Sequence, residues 1–168
     1  MTTLNAEVII NAPVAAVWEV VAHRFDRVGE WATVIAASAP TPGPPLVAQA
    51  PVAGRTCRTG IAMIPQVTER LVAYDEANHT LTYQAEDLPR VLGTARNQWH
   101  VSALDERRTR VSFDATIEVR GLVGQLTYLV LRLQLARTST RFLHDLKHYV
   151  EQGQPSPRKQ RQLRAPRR

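Results

Sequence analysis

Alternation marks residues 109–119: Val111, Phe113, Ala115, Ile117 and Val119 are apolar, while Arg110, Ser112, Asp114, Thr116 and Glu118 between them are polar. Period two is the pattern of a strand with one buried face. Just beyond it the period changes. Leu126, Leu129, Leu133, Ala136, Leu143, Leu146 and Val150 recur at steps of three, four or seven across 122–151, a stretch without proline and, after Gly124, without glycine. This spacing predicts one long helix whose apolar stripe needs a broad surface to cover.

The surface is supplied by strands. Alternating or β-rich runs are predicted at 4–10, 34–39, 55–62, 67–74, 80–86, 94–104 and 109–119. Asp75-Glu76-Ala77-Asn78 and Asp105-Glu106-Arg107-Arg108 are short polar turns between such runs, so the later strands form an antiparallel meander. The same alternation turns Asn97, Trp99, Val101 and Ala103 inward, Asn97 being the polar exception, and Arg96, Gln98 and His100 outward. After the first strand, Asn11-Ala12-Pro13 opens a helix with Val14, Val17, Trp18 and Val21 on its apolar face, reaching about His23. A second short helix or turn over 26–31 presents Trp31. Prolines 40, 42, 44, 45 and 51 exclude regular structure from the segment that holds them, leaving a stiff loop that edges an opening or serves as a plain connector.

Charge changes the picture only at one end. The chain has 168 residues and a formal charge of +6, but Arg158, Lys159, Arg161, Arg164, Arg167 and Arg168 lie in 154–168 with no acid, leaving 15 basic and 15 acidic groups in 1–153. One neutral domain, 1–153, is therefore expected, followed by a basic tail, 154–168, whose single large apolar residue predicts disorder. Cys57 is the only cysteine, which excludes an intrachain disulfide and a multi-cysteine zinc site. No secretion signal opens the chain and no apolar run is long enough to span a bilayer, so a soluble cytoplasmic protein is expected. His144 and His148 stand at i, i+4 without an intervening glutamate in the zincin position and are read as helix surface. No nucleophile with an adjacent base, phosphate-cradling glycine loop or metal constellation is present, and no metal or organic cofactor is expected.

Several short motifs sharpen this outline. Ala12-Pro13-Val14-Ala15-Ala16-Val17-Trp18, Gly54-Arg55-Thr56-Cys57-Arg58, Thr68-Glu69-Arg70-Leu71-Val72-Ala73-Tyr74-Asp75, Leu81-Thr82-Tyr83 and the closing 143–151 occur in this order. Together they resemble the SRPBCC superfamily, which includes START-related lipid-transfer proteins, pollen-allergen-like proteins, abscisic-acid receptors and polyketide cyclases/dehydrases. The resemblance covers about 4–153 and implies an α+β helix-grip fold, a curved antiparallel sheet around the C-terminal helix with an apolar cavity between them. It also implies that Arg58, Glu69, Tyr83, Asn97 and Trp99 turn toward that cavity. Trp31 would stand near its mouth, and Phe113, Leu129 and Leu133 would furnish apolar walls. Arg58 and Glu69 would be either a paired couple closing the floor or polar groups that orient a ligand. Met63-Ile64-Pro65 and Leu88-Pro89-Arg90 lie where the hormone receptors carry gate and latch, without reproducing those sequences.

Three functions compete on this reading. The first is carriage or sequestration of a hydrophobic or amphipathic molecule such as a lipid or polyketide. The second is cyclisation of a poly-β-ketone, with Tyr83 or Arg58 polarising a ketone, Glu69 accepting a proton, and an acyl carrier protein as a possible partner. The third is attachment of the basic tail to nucleic acid or anionic membrane. Monomer and homodimer are both compatible with the chain.

Overall fold

The computed structural model describes residues 2–61, 64–88, 92–119 and 121–165, and their side chains except those of 2, 61, 92, 93, 119 and 121–135. Seven strands form one antiparallel sheet: β1 (Thr2–Ile10), β2 (Ile35–Pro40), β3 (Gly54–Ile61), β4 (Ile64–Asp75), β5 (Thr80–Glu86), β6 (Leu92–Ala103) and β7 (Thr109–Val119). Their spatial order is β1-β7-β6-β5-β4-β3-β2. β2 to β7 run as the expected meander, and β1 returns to pair with β7. The helix α2 (Gly121–Gln152) packs mainly across β1 and also against β7. This is the helix-grip arrangement.

Period two governs the sheet. Ile10, Leu71, Leu81, Tyr83, Trp99, Val101, Val111 and Phe113 face inward and are buried. β7 alternates as its sequence predicts, and Trp99 and Val101 of β6 are inward as well. In the half of α2 with described side chains the buried face is Ser139, Phe142, Leu143, Asp145 and Leu146, with Val150 half-buried. Ala136, assigned to the stripe by its spacing, is exposed. The face that closes on the sheet is therefore centred beside the predicted row and includes a phenylalanine that the row omits. The side chains of Leu126, Leu129 and Leu133 lie outside the described residues.

The first helix is shorter than its pattern suggests. α1 (Val14–Trp18) passes into a π-helical turn at Glu19–His23, then a 3-10 turn at Phe25–Glu30. The widened turn keeps Val17, Trp18, Val21, Ala22, Phe25 and Val28 all buried, which a uniform helix of this sequence would not. The proline-rich segment contains neither helix nor strand over 41–53, as expected, but its first proline, Pro40, belongs to β2 and pairs in register with Arg55. Of the gate and latch segments, Met63, Pro89 and Arg90 lie outside the described residues.

The tail departs from its expectation. Residues 157–164 form a helix, α3 (Pro157–Arg164), rather than a disordered segment. Ser156 caps it, accepting a hydrogen bond from the Lys159 N–H at 3.3 Å, and Pro157 begins it where a missing N–H costs nothing. Lys159 is fully buried and its ammonium donates to the Ile35 carbonyl at 2.5 Å. Composition gave no apolar reason for order here, and the contacts that hold the helix are polar, the Ser156 cap and the hydrogen bond from Lys159 to Ile35. Burial drives the Lys159 ammonium down to about 8, with the nearby Asp145 carboxylate opposing that shift.

Candidate functional site

On the inner face, β3, β4 and β5 place one charged couple under the short helical turns. Arg55 Nε donates to Glu69 Oε2 at 2.5 Å, and the two residues face each other in the β3–β4 register. Arg55 Nη1 also donates to the Phe25 carbonyl at 3.0 Å. The guanidinium lies 4.0 Å from the centroid of the Phe25 ring and 5.0 Å from that of Tyr83. Burial acts to lower the Arg55 pKa, but the Glu69 carboxylate outweighs it and holds the guanidinium firmly charged. The Cys57 thiol, 3.9 Å from Glu69, is pushed up to about 12 by burial and stays protonated. Burial likewise raises Tyr83, with the Glu69 charge adding to it, so its hydroxyl is a neutral donor.

This couple corrects the sequence reading. Arg58, nominated as Glu69's partner, is exposed and pairs in register with Gln66 on the outer face. Arg55 and Cys57 share the inward parity, and Arg58 is one step out of phase with them. Gly54, the glycine of the same motif, has a packing reason to be there. A Cβ would collide with the Glu69 carbonyl and approach Arg70 Cα to 2.9 Å, so β3 and β4 meet closely just where the ion pair forms.

Beside the couple sits an aromatic cluster built around α2. Trp31 stacks on Phe142 at 4.9 Å between ring centroids, Trp99 meets Phe113 edge-on at 4.9 Å, and Trp99 and Phe113 lie 5.6 and 6.0 Å from Phe142. Such pairs contribute about 0.5–1.5 kcal/mol each beyond area burial. Trp31, Trp99 and Phe113 are thus brought together, and Trp31, expected near the mouth, is 3% exposed and packs inside instead. Phe142 was not in the sequence-derived set. Its spacing of four from Leu146 is the signal that finds it.

Along β5, β6 and β7 the inner face passes from buried to partly accessible over successive register rows, whereas on β1 Val8 is already half-buried opposite the sealed Val111, and Ala103 at the end of β6 is exposed. Val101 and Val111 form one register row and are 1% and 0% exposed. The next rows, Leu81-Trp99-Phe113 and Tyr83-Asn97-Ala115, run from buried to half-buried at Asn97. Ala85, Ala95 and Ile117 make the row after that, and all three are half-buried although they point inward. Leu4, Ala6 and Val8 of β1 are also partly accessible. The interior is therefore sealed at the Ile10–Val101–Val111 end and accessible at the Ala85–Ala95–Ile117 end.

Two further polar groups tie this frame together. Asp145 of α2 accepts from the Thr33 N–H at 2.8 Å and the Thr33 hydroxyl at 2.6 Å, linking the helix to the segment that carries Trp31. At the sealed end, Glu76 accepts from the Trp18 indole N–H at 3.0 Å and the Tyr74 hydroxyl at 2.5 Å, and contacts His23 Nε2 at 2.9 Å. His23 Nδ1 lies 2.7 Å from Glu19. The hydrogen bonds from Tyr74 and then Trp18 bring Glu76 down to about 2. Burial acts against the His23 imidazolium, but the hydrogen bonds to Glu19 and Glu76 outweigh it and raise its pKa above 6.5.

The sign of the resulting pH dependence follows from linkage. A raised histidine contributes stability in full below its unfolded value, 6.5, and loses it as pH rises through the folded value. Lys159 has the opposite sign, because a depressed lysine adds stability as pH rises above about 8. The midpoint of thermal unfolding is therefore expected to fall as pH rises from 6.5 toward 8, and His23→Gln is expected to flatten that slope. An unchanged slope in the variant would assign the titration elsewhere.

Among the described residues no group of three histidine, cysteine, aspartate or glutamate side chains is arranged to hold a metal ion. No described helix is long and apolar enough to cross a membrane.

A curved seven-stranded sheet closed by one long helix, with an inner face that is apolar except for a few convergent polar groups, defines a helix-grip domain. The chain belongs to the polyketide cyclase / dehydrase and lipid transport family, whose model matches residues 1–151. Solved structures agree on the fold. A START superfamily protein from Mycobacterium smegmatis superposes with a TM-score of 0.70 at 14% identity, covering 89% of this chain and 97% of that one. The Zhui aromatase/cyclase from Streptomyces sp. R1128 gives 0.69 at 17% identity, covering 90% and 94%. A protein from Thermobifida fusca gives 0.65 at 22% identity, covering 93% and 98%. No curated protein matches by sequence.

Proposed function

We propose that this chain binds a hydrophobic or amphipathic small molecule, a lipid or a polyketide, between the sheet and α2, and carries or sequesters it. The observation that carries this reading is the graded accessibility of the inner face. Apolar side chains that point inward at Ala85, Ala95 and Ile117 remain partly accessible, whereas their counterparts toward Val101 and Val111 are sealed. The opening spans three adjacent strands, β5, β6 and β7, and apolar walls with few polar groups are the usual make-up of a small-molecule site. Asn97, Tyr83 and the Arg55–Glu69 couple would orient the ligand's oxygens. Trp99, Phe113 and Trp31 would form the inner wall, and Leu129 and Leu133 would close it from α2.

A second reading is supported by the family and by the placement of Tyr83 and Glu69 on adjacent strands of the inner face. A poly-β-ketone, free or delivered by an acyl carrier protein, would be held folded, with the neutral Tyr83 hydroxyl donating to a ketone and Glu69 receiving a proton. Native mass spectrometry of the protein from its own host, with identification of the released molecule, tests both. An apolar molecule that stays unchanged on the protein supports carriage. A poly-β-ketone that loses water only in the protein's presence supports cyclisation, and exclusively polar metabolites would count against both readings.

A further inference from the structure

The net charge of this sequence is concentrated in its last fifteen residues. Residues 1–153 are formally neutral, so the whole excess of +6 belongs to 154–168. α3 gives part of that charge a fixed direction. Its inward side is held by Lys159 on the Ile35 carbonyl and by the Gln162 amide, which donates to the Thr33 carbonyl at 3.3 Å. At about 100° per residue, Arg161 and Arg164, two and five positions beyond Lys159, fall on the far side of the helix, and Arg158 on its flank. All three are exposed, and none is in a salt bridge among the described residues. The only large apolar side chain of α3, Leu163, is 50% exposed.

We propose that the outer face of α3 docks on the headgroups of an anionic lipid bilayer. The arginine fork matches phosphate oxygens two at a time, and its charge cannot be removed by titration. Nucleic acid fits less well. Residues 154–168 contain no aromatic side chain on which bases could stack, and the formally neutral 1–153 adds no net positive charge for a polyanion backbone. A bilayer requires neither, since basic groups at an anionic surface act nearly additively. The inference stands on α3 and does not depend on what the interior binds.

The test is co-flotation of the full chain with vesicles of phosphatidylcholine alone and of equimolar phosphatidylcholine and phosphatidylglycerol. Binding is expected only to the anionic vesicles and is expected to weaken with salt. Replacing Arg158, Arg161 and Arg164 together with glutamine should weaken it on the order of 100-fold, about fivefold for each charge. A control that replaces Arg96, Arg107 and Arg141, three exposed arginines elsewhere, has the same net charge and should bind within about twofold of wild type. Equal losses in the two triple variants, or no binding to anionic vesicles, would overturn the proposal. Tighter binding to duplex DNA than to vesicles, lost in the α3 variant, would overturn it in favour of nucleic acid.

Discussion

Replacing Arg55 with methionine is expected to destabilise the fold by about 3–5 kcal/mol, the usual consequence of leaving one member of a buried ion pair behind. For a chain of this size that is a fall in Tm of roughly 6–20 °C. The side chains of Arg55 and Glu69 are 5% and 12% exposed, and without the guanidinium Glu69 keeps, among the described residues, only the weak Cys57 thiol donor at 3.9 Å. The ring contacts to Phe25 and Tyr83 and the bond to the Phe25 carbonyl disappear with the same substitution. The double variant Arg55→Met/Glu69→Leu should recover most of the loss, because no charge then remains buried. Arg58→Met provides the contrast: an exposed arginine on the outer face should change stability by no more than about 0.5 kcal/mol. Chemical denaturation of the four proteins measures all of this, and equal effects at Arg55 and Arg58 would show that the inward parity of β3 is wrong.

The contrast between those two arginines also shows what the sequence could disclose. β7 and β6 announce their facing because large apolar residues occupy every second position from Val111 to Val119 and from Trp99 to Val101. β3 reads Gly-Arg-Thr-Cys-Arg-Thr-Gly-Ile, where only Cys57 carries apolar information, and family resemblance pointed to the wrong arginine. Taken as a buried type, Cys57 sets odd positions inward and selects Arg55. The helix stripe failed in a similar way. Leucine and valine spacing centred the face on the row through Ala136, whereas Ser139, Phe142 and Asp145 are buried beside Leu143 and Leu146. Two of those three are polar, so a hydrophobic pattern could not include them.

α3 was legible only in its punctuation. Ser156-Pro157 is a helix start, but no apolar period follows it, because its inward contacts are a lysine on a carbonyl and a glutamine on another. The π-helical turn at Glu19–His23 left no trace in the pattern, since it arises from fitting Phe25 and Val28 into the core after Trp18. The element order, the antiparallel meander and the inward placement of Glu69, Tyr83, Asn97, Trp99 and Phe113 were readable from period alone or from the resemblance. Which residues sit at the accessible end of the interior was not. That distinction depends on how far α2 covers each register row.

The second large effect concerns that accessible end. Ala95 points inward between Ala85 and Ile117 in register, is half-buried, and belongs to the row at which the interior begins to open. An indole placed there would occupy the space a ligand must enter, while the sealed rows from Leu81 to Val111 that hold the fold are left untouched. Ala95→Trp should therefore keep the native fold and lose ligand binding by at least about tenfold, a penalty of about 1.4 kcal/mol. Asn97, one row deeper, is a milder probe of the same region, because its replacement removes a polar anchor without closing the entrance.

Fluorescence titration of anilinonaphthalene sulfonate into the wild-type protein and the Ala95→Trp variant, with near-ultraviolet circular dichroism to verify native packing, tests the central claim most directly. Saturable fluorescence enhancement is expected for the wild type, and its loss in the natively packed variant. Enhancement of equal affinity in both proteins, or none in the wild type, would contradict an interior that takes its ligand through the Ala85–Ala95–Ile117 end.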